Sequence, residues 1–392
     1  MSEYIFFFSL IALFYAYFGY YIVLTILKFF QNFFTSKTDT IRAAQNFKGQ
    51  KKLHFSIIIA AHNEEKRIIS RMANIADLDC DKEQIQTIVV SDGSNDKTCA
   101  LAKSYAALKP LVIDLPQQHG RAFAHNEAIQ HAQGEILIFT DAETTFDKNF
   151  LNEVEKCFLA NSSPMRKPVG CVTGNLFYLT DQSDISQSEG FYWKWEKKLR
   201  KRQSDLGILA TGTGACLAVR KDLYQKLGPI DDCDFTTPLD VIRQGFRVLF
   251  AEQALAYDIP PNSIKREFRG RIRQTSKNFI GTLVRWGFIS FFKHPMISCA
   301  IVSHKFFRWF TLYFLAAVLV SNIFLIDHSP LYQIFLGLQL AFYFVAVIGL
   351  LLNLKNIQFP IVSLVFSFCI AALGMGIGII TGLAGKAPRY YE

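Results

Sequence analysis

No charged residue interrupts YIFFFSLIALFYAYFGYYIVLTIL, residues 4–27. A run of about 24 apolar and neutral positions is long enough to cross a bilayer as one helix. Three further apolar stretches lie at 309–326, 331–353 and 358–384. Asp327, His328 and Pro330 mark one break between them, and Lys355, between Asn353 and Asn356, marks another. The pattern predicts about four membrane spans.

Residues 53–260 follow a different rhythm. FSIIIAA (55–61) is an unbroken apolar run rich in isoleucine, the signature of a strand covered on both faces. EEKRIISRMANIADL (64–78) then repeats at helical spacing, and IQTIVVSDGS (85–94) reads as a second strand ending in a turn. DKTCALAKSYAAL (96–108) predicts a helix, LVIDL (111–115) a strand, GRAFAHNEAIQHA (120–132) a helix and EILIFTDAE (135–143) a fourth strand. This alternation implies an α/β domain with a mainly parallel sheet and right-handed crossovers. Ligands of such sheets bind beyond the carboxyl ends of the strands. The polar residues collect there: His62-Asn63-Glu64, Ser91-Asp92-Gly93-Ser94 and Asp141-Ala142-Glu143.

Composition supports the division. The 392 residues are 51% hydrophobic and include 37 phenylalanines, too apolar for one ordinary soluble domain. The first apolar run lacks a charged leader and a small-residue cleavage site, so it is expected to be a retained anchor. Lys28, Lys37, Arg42, Lys48, Lys51 and Lys52 follow it, and Arg285, Lys293, Lys305 and Arg308 precede the second run. Basic flanks on both sides place the α/β domain in the cytoplasm, and four spans put both termini on the other side. The net charge of +9 sits beside the spans, where it meets anionic lipid; nucleic-acid binding is not expected. The eight cysteines include no Cys-x-x-Cys pair, and neither disulfides nor zinc are expected. The expected organisation is a span at 1–28, a basic linker at 29–52, the α/β domain at 53–260, amphipathic interface helices at 261–308 and a C-terminal membrane region at 309–392 of about three helices.

Asp141 and Glu143 stand one residue apart beyond a buried strand. Two such carboxylates suit a hard divalent cation, which commonly takes one or two carboxylates together with substrate phosphates. They also suit the cap of a following helix. Asp92 offers an acceptor on a tight turn whose Gly93 lets backbone approach a base or ribose closely, while Ser94 or Asn95 could cap the next helix.

AAHNEE (60–65), VVSDGSNDKT (89–98), GRAFAHNEAI (120–129) and ILIFTDAE (136–143), in this order and spacing, resemble the successive motifs of family 2 glycosyltransferases with the GT-A fold. Flanking spans make the chain similar to membrane-embedded bacterial members that build exopolysaccharide or other cell-envelope glycans. The resemblance implies an enzyme that uses a nucleotide-sugar donor, a UDP-sugar first and a GDP-sugar second. It implies Mg2+ or Mn2+ at Asp141 and Glu143, with Glu143 standing where the family has aspartate. It further implies that Asn63, Glu64 and Asp92, with Gly93, hold the nucleoside and that Arg121 faces the phosphates. Inverting transfer to a lipid-linked or glycan acceptor needs a base. The family's aspartate is best matched by Asp234, with Asp231 and Asp232 as rivals and helix capping as the competing role.

YWKWEKKLRKRQSD (192–205) reads either as a helix on lipid head groups or as part of the acceptor side, and Gly212 and Gly214 either allow close approach or open a strand. Ile264, Phe268, Ile272, Phe279 and Leu283 form one stripe of an amphipathic helix expected to lie in the membrane interface. Processive relatives such as cellulose synthases carry Gln-x-x-Arg-Trp. Here Thr282-Leu-Val precedes Arg285-Trp286, which argues against processive synthesis. An inactive membrane scaffold is the other alternative, and the retained carboxylates argue against it.

Overall fold

The computed structural model describes residues 1–34, 52–160, 167–179, 184–259, 263–355, 357 and 359–388. Most of the expected linker at 29–52 lies outside these residues. Among the described residues an eight-stranded sheet, ordered β3-β2-β1-β4-β7-β6-β8-β5, forms the centre of the α/β domain. Its first four strands are β1 (Phe55–Ala61), β2 (Ile85–Asp92), β3 (Leu111–Leu115) and β4 (Ile136–Thr140). They pair in parallel, as the strand–helix alternation requires. Alternate residues explain why those runs are continuously apolar. Ile57 and Ile59 of β1, with Ile136 and Ile138 of β4, enter one core, while Ile58, Leu137 and Phe139 enter the other. Each fully buried side chain of this size contributes roughly 1.5–3 kcal/mol. Gly134 precedes β4 where a Cβ would lie 2.5 Å from Ser56 N, so the turn can rest on β1 only without a side chain.

Beyond β4 the directions mix, and only β6 (Val169–Tyr178) and β8 (Arg247–Asp258) still pair in parallel. β5 (Thr145–Phe146) pairs antiparallel with β8 (Arg247–Asp258). β7 (Leu217–Arg220) is antiparallel to both β4 and β6 (Val169–Tyr178). The sheet is therefore mixed, with its parallel half beside the polar strand ends noted above.

Among the described residues three helices are long and apolar enough to cross a membrane, Ser2–Phe33, Pro330–Leu354 and Pro360–Leu383. The expected span at 309–326 falls on the second arm of a pair, Pro295–Trp309 and Thr311–Ile323, bent by 60°, which makes a fourth if the pair is one broken span. Polar anchoring explains the break: the first arm carries buried His304 and Arg308, both bound to Glu196. Phe8, Phe33, Leu338, Phe344 and Ile361 on the apolar helices are all exposed, as lipid-facing side chains would be.

The amphipathic stripe expected from residue 264 onward lies on the helix Ile264–Gly281. It packs along a glycine face of Pro360–Leu383, where a Cβ on Gly374 would lie 2.9 Å from Arg271 Cβ and one on Gly378 2.7 Å from Thr275 Cβ. Small residues let the two backbones approach this closely. Thr275, Ser276 and Lys277 are buried as a result, and Phe279 sits against Phe306 and Trp309. Exposed apolar side chains resume only at Leu283, Val284, Phe288 and Ile289.

Candidate active site

The ends of β1 and β2 are tied to each other. Asn63 adopts a left-handed conformation (φ 57°), which asparagine tolerates. Its N–H donates to Ser94 Oγ at 3.1 Å, and its Oδ1 accepts from Asn95 N at 2.8 Å. Ser94 and Asn95 are thus bound to β1's end, and Asp96 caps the next helix by accepting Thr98 N at 2.9 Å. Asp92 is buried, and its two oxygens accept from His119 N at 2.7 Å and Gly120 N at 2.8 Å. Asp92 therefore fixes the loop that leads into the helix Arg121–Gln130. At Gly93 (φ 67°) a Cβ would lie 2.4 Å from Gln118 N, so the close approach there is made by this loop.

That loop aims Arg121 at the end of β4. Arg121 Nη2 lies 2.6 Å from Asp141 Oδ1 and donates to Gly214 O at 3.0 Å. A Cβ on Gly214 would fall 3.2 Å from Arg121 Nη2, so the glycine makes room for the guanidinium. No helix follows Asp141 and Glu143: β5 comes next, and the following helix is capped at Asn149. The capping role considered for the two carboxylates is thereby removed. Arg67 bridges from the other side, 3.0 Å from Glu64 Oε2 and 3.4 Å from Glu143 Oε2.

Sequence reading missed a third carboxylate. Pairing of β5 with β8 brings Asp258, at the end of β8, beside the Asp141–Glu143 loop. Burial, then Glu143 and Asp141, push its carboxyl up to about 7. Burial also raises Glu143, opposed by Arg67 and reinforced by Asp141 and Glu64. A polar residue where an apolar strand runs out was the available signal for Asp258.

Across Arg121 lies the start of the helix Cys233–Arg243. Asp232 occupies its N-cap position and Asp234 its first turn, without a side-chain capping bond there. Asp234 O accepts Gly212 N at 2.7 Å, joining this helix to the Gly212–Gly214 segment that also receives Arg121. Burial, followed by the charge of Asp232, raises the Asp234 carboxyl, while Arg121 and Arg200 pull it down. The two rivals are otherwise engaged. Asp231 pairs with Arg285 at 2.7 Å and accepts Gly228 N at 2.7 Å, and Asp232 lies 3.6 Å from Lys277. Trp286 is buried and donates to Ser298 Oγ at 2.9 Å, so Arg285 and Trp286 both serve packing.

The helix Asp184–Asp205 connects this site to the membrane helices rather than lying only on head groups. Its Trp195 packs against Tyr21, with ring centroids 4.6 Å apart and the planes tilted by 45°. Its buried Glu196 binds Arg308 at 2.7 Å and His304 at 3.0 Å. Arg200, beside Glu196, reaches Thr213 Oγ1 at 2.5 Å, next to Gly214.

Oxygen-only donors at Asp141 and Glu143 fit a hard divalent cation. Among the described residues no three acidic, histidine or cysteine side chains converge into a cage, so a metal here would take its other ligands from diphosphate and water.

A mixed sheet with polar strand ends and an acidic loop at its switch point is the GT-A architecture. Residues 56–228 match the family described as "Glycosyl transferase family 2", so the chain carries a domain of that family. It is 24% identical over 341 residues to "Probable glycosyltransferase YdaM" of Bacillus subtilis, covering 81% of this chain and 75% of that one. It is 23% identical to "Poly-beta-1,6-N-acetyl-D-glucosamine synthase" of Staphylococcus aureus over 56% of this chain, which spans about half (53%) of that relative. Among solved structures, mannosyltransferase PcManGT from Pyrobaculum calidifontis, in complex with GDP-Man and Mn2+, superposes with a TM-score of 0.61. That match has 18% identity and covers 93% of this chain and 98% of that one, which bears on the fold.

Proposed function

We propose that the protein transfers a single sugar from a nucleotide-diphosphate sugar to a lipid-linked or glycan acceptor hydroxyl, with inversion, at the cytoplasmic face of a bacterial membrane. The observation that carries this reading is the position of Arg121. It touches Asp141 at 2.6 Å and exerts its charge on Asp234, so the donor-side and acceptor-side carboxylates face one cation. Asn63, Glu64 and Asp92, with Gly93, would shape the nucleoside end of the donor cleft. Asp141 and Glu143 would hold Mg2+ or Mn2+, which when bound neutralises charge on the departing diphosphate. Arg121 would swing its guanidinium from Asp141 onto that diphosphate, adding a fixed donor where charge develops. Asp234 would accept the acceptor's hydroxyl proton as oxygen attacks the anomeric carbon opposite the leaving group. A carboxyl with a raised pKa is a better base than an ordinary one, provided the medium keeps it ionised.

The exposed phenylalanines of the apolar helices and the basic residues flanking them support the membrane assignment and its orientation. Arg285 and Trp286, which here fasten Asp231 and Ser298, support single transfer over chain extension. The test uses purified full-length protein with manganese and a panel of uridine and guanosine diphosphate sugars. Asp234→Asn should bind donor like the wild type and transfer nothing, and Asp141→Asn should lose metal-dependent nucleotide binding. Retained transfer in Asp234→Asn would remove the base assignment. Long products from donor alone would establish processive synthesis instead.

A further inference from the structure

Arg71 is among the largest fully buried side chains in the protein, 2% exposed, and among the described residues no carboxylate pairs with it. An unpaired buried guanidinium is costly, so its surroundings must account for it. Arg71 rises from the helix Ile68–Ala76 against the underside of the loop that bears Asp141 and Glu143. Its Nη2 donates to Thr140 Oγ1 at 2.9 Å, one residue before Asp141. Its Nη1 donates to Asn74 Oδ1. Asn74 in turn accepts Phe146 N at 2.8 Å and donates to Phe146 O at 2.9 Å, matching both backbone groups of that residue. The guanidinium itself lies 4.1 Å from the centre of the Phe146 ring. One side chain thus grips both ends of the 141–145 segment. The charges of Asp141 and Asp258 act on it and oppose the lowering that burial causes.

We propose that Arg71 is a positioning residue for the donor site. It sets the placement of Asp141 and Glu143 from beneath and supplies the standing positive charge that lets carboxylates gather there before metal and diphosphate arrive. The inference rests on the donor-site reading in one respect only, that this loop receives the metal–diphosphate. Groups outside the coordination sphere that orient metal ligands are often nearly as consequential as the ligands.

The experiment compares full-length wild type, Arg71→Met, Arg71→Lys and Asp141→Asn. Hydrogen exchange at amides 142–145 is followed without metal, and manganese is titrated with uridine or guanosine diphosphate present. Removing the grip is expected to speed exchange in Arg71→Met about tenfold or more, with Arg71→Lys between it and wild type. The manganese midpoint should rise about 10- to 100-fold in Arg71→Met, and excess manganese should restore its transfer rate but not that of Asp141→Asn. Wild-type exchange, or a wild-type midpoint in both Arg71 variants, would overturn the proposal. If wild-type protein shows no manganese-dependent nucleotide binding, the donor-site reading fails, and the exchange result alone decides whether Arg71 holds the loop. If Arg71→Met does not fold, Thr140→Val and Asn74→Ala each release one end of the loop. Faster exchange at the released end supports the role, and unchanged protection in both overturns it.

Discussion

Arg121 Nη2 stands 2.6 Å from Asp141 Oδ1, so the carboxylate proposed to hold a metal is neutralised by a side chain. Metal and guanidinium would then compete for one oxygen. A diphosphate that draws Arg121 away would release Asp141, so that metal and nucleotide would bind together.

The competition predicts opposite effects on binding and turnover. Arg121→Gln should tighten manganese binding in the absence of nucleotide, read by calorimetry, while lowering kcat by about 10²–10³ through loss of a fixed donor to the leaving group. Weaker manganese binding in this variant would contradict the competition.

Asp234 gives a pH prediction. Burial and Asp232 raise its carboxyl, so it stays protonated, and unable to act as a base, to higher pH than an ordinary aspartate. Transfer should rise with pH through that raised value and level off above it. Asp232→Asn removes a neighbouring negative charge and should move the ascending limb of the pH–rate profile toward acid. On that plateau Asp234→Asn should lose about 10²–10⁴ in rate, leaving no transfer above background, and it should lack the ascending limb.

Asp231 and Arg285 make a structural pair, with Asp231 9% exposed. Removing one partner leaves the other buried and uncompensated, which costs about 3–5 kcal/mol. Arg285→Ala should therefore lower the melting temperature in detergent clearly, while the folded fraction keeps its donor affinity. A loss of activity without a loss of stability would return Asp231 or Arg285 to the chemistry.

Gly93→Ala would impose a left-handed conformation (φ 67°) on alanine and place a Cβ 2.4 Å from Gln118 N. Strain of about 1–3 kcal/mol is expected from the backbone alone. The displaced 117–120 loop should weaken nucleotide binding through Asp92 and Arg121, measured by calorimetry against the wild type.

Periodicity along the chain was enough to determine the parallel half of the sheet, because strands buried on both faces need unbroken apolar runs. It also placed the polar residues at the strand ends, where Asp92, Asp141 and Glu143 lie. Gly245, in a left-handed conformation, ends the Cys233–Arg243 helix where glycine after a helical run predicts a stop. Local pattern also marked off the helices Ser2–Phe33, Pro330–Leu354 and Pro360–Leu383, which are long and apolar enough to cross a membrane.

Only the tertiary structure could decide the rest, because it depends on contacts between segments far apart in the chain. Pairing of β5 with β8 delivers Asp258 to the acidic loop, and the fold of the 117–120 loop turns Arg121 onto Asp141. Arg71 falls in the helical stretch 64–78, where spacing alone singles out nothing about it, yet it is buried under that loop. Thr275 and Ser276 of Ile264–Gly281 are covered because glycines on another helix admit them, a match no single segment reveals. Charge in a sequence suggests solvent, and only packing shows which charges are enclosed and which partners enclose them.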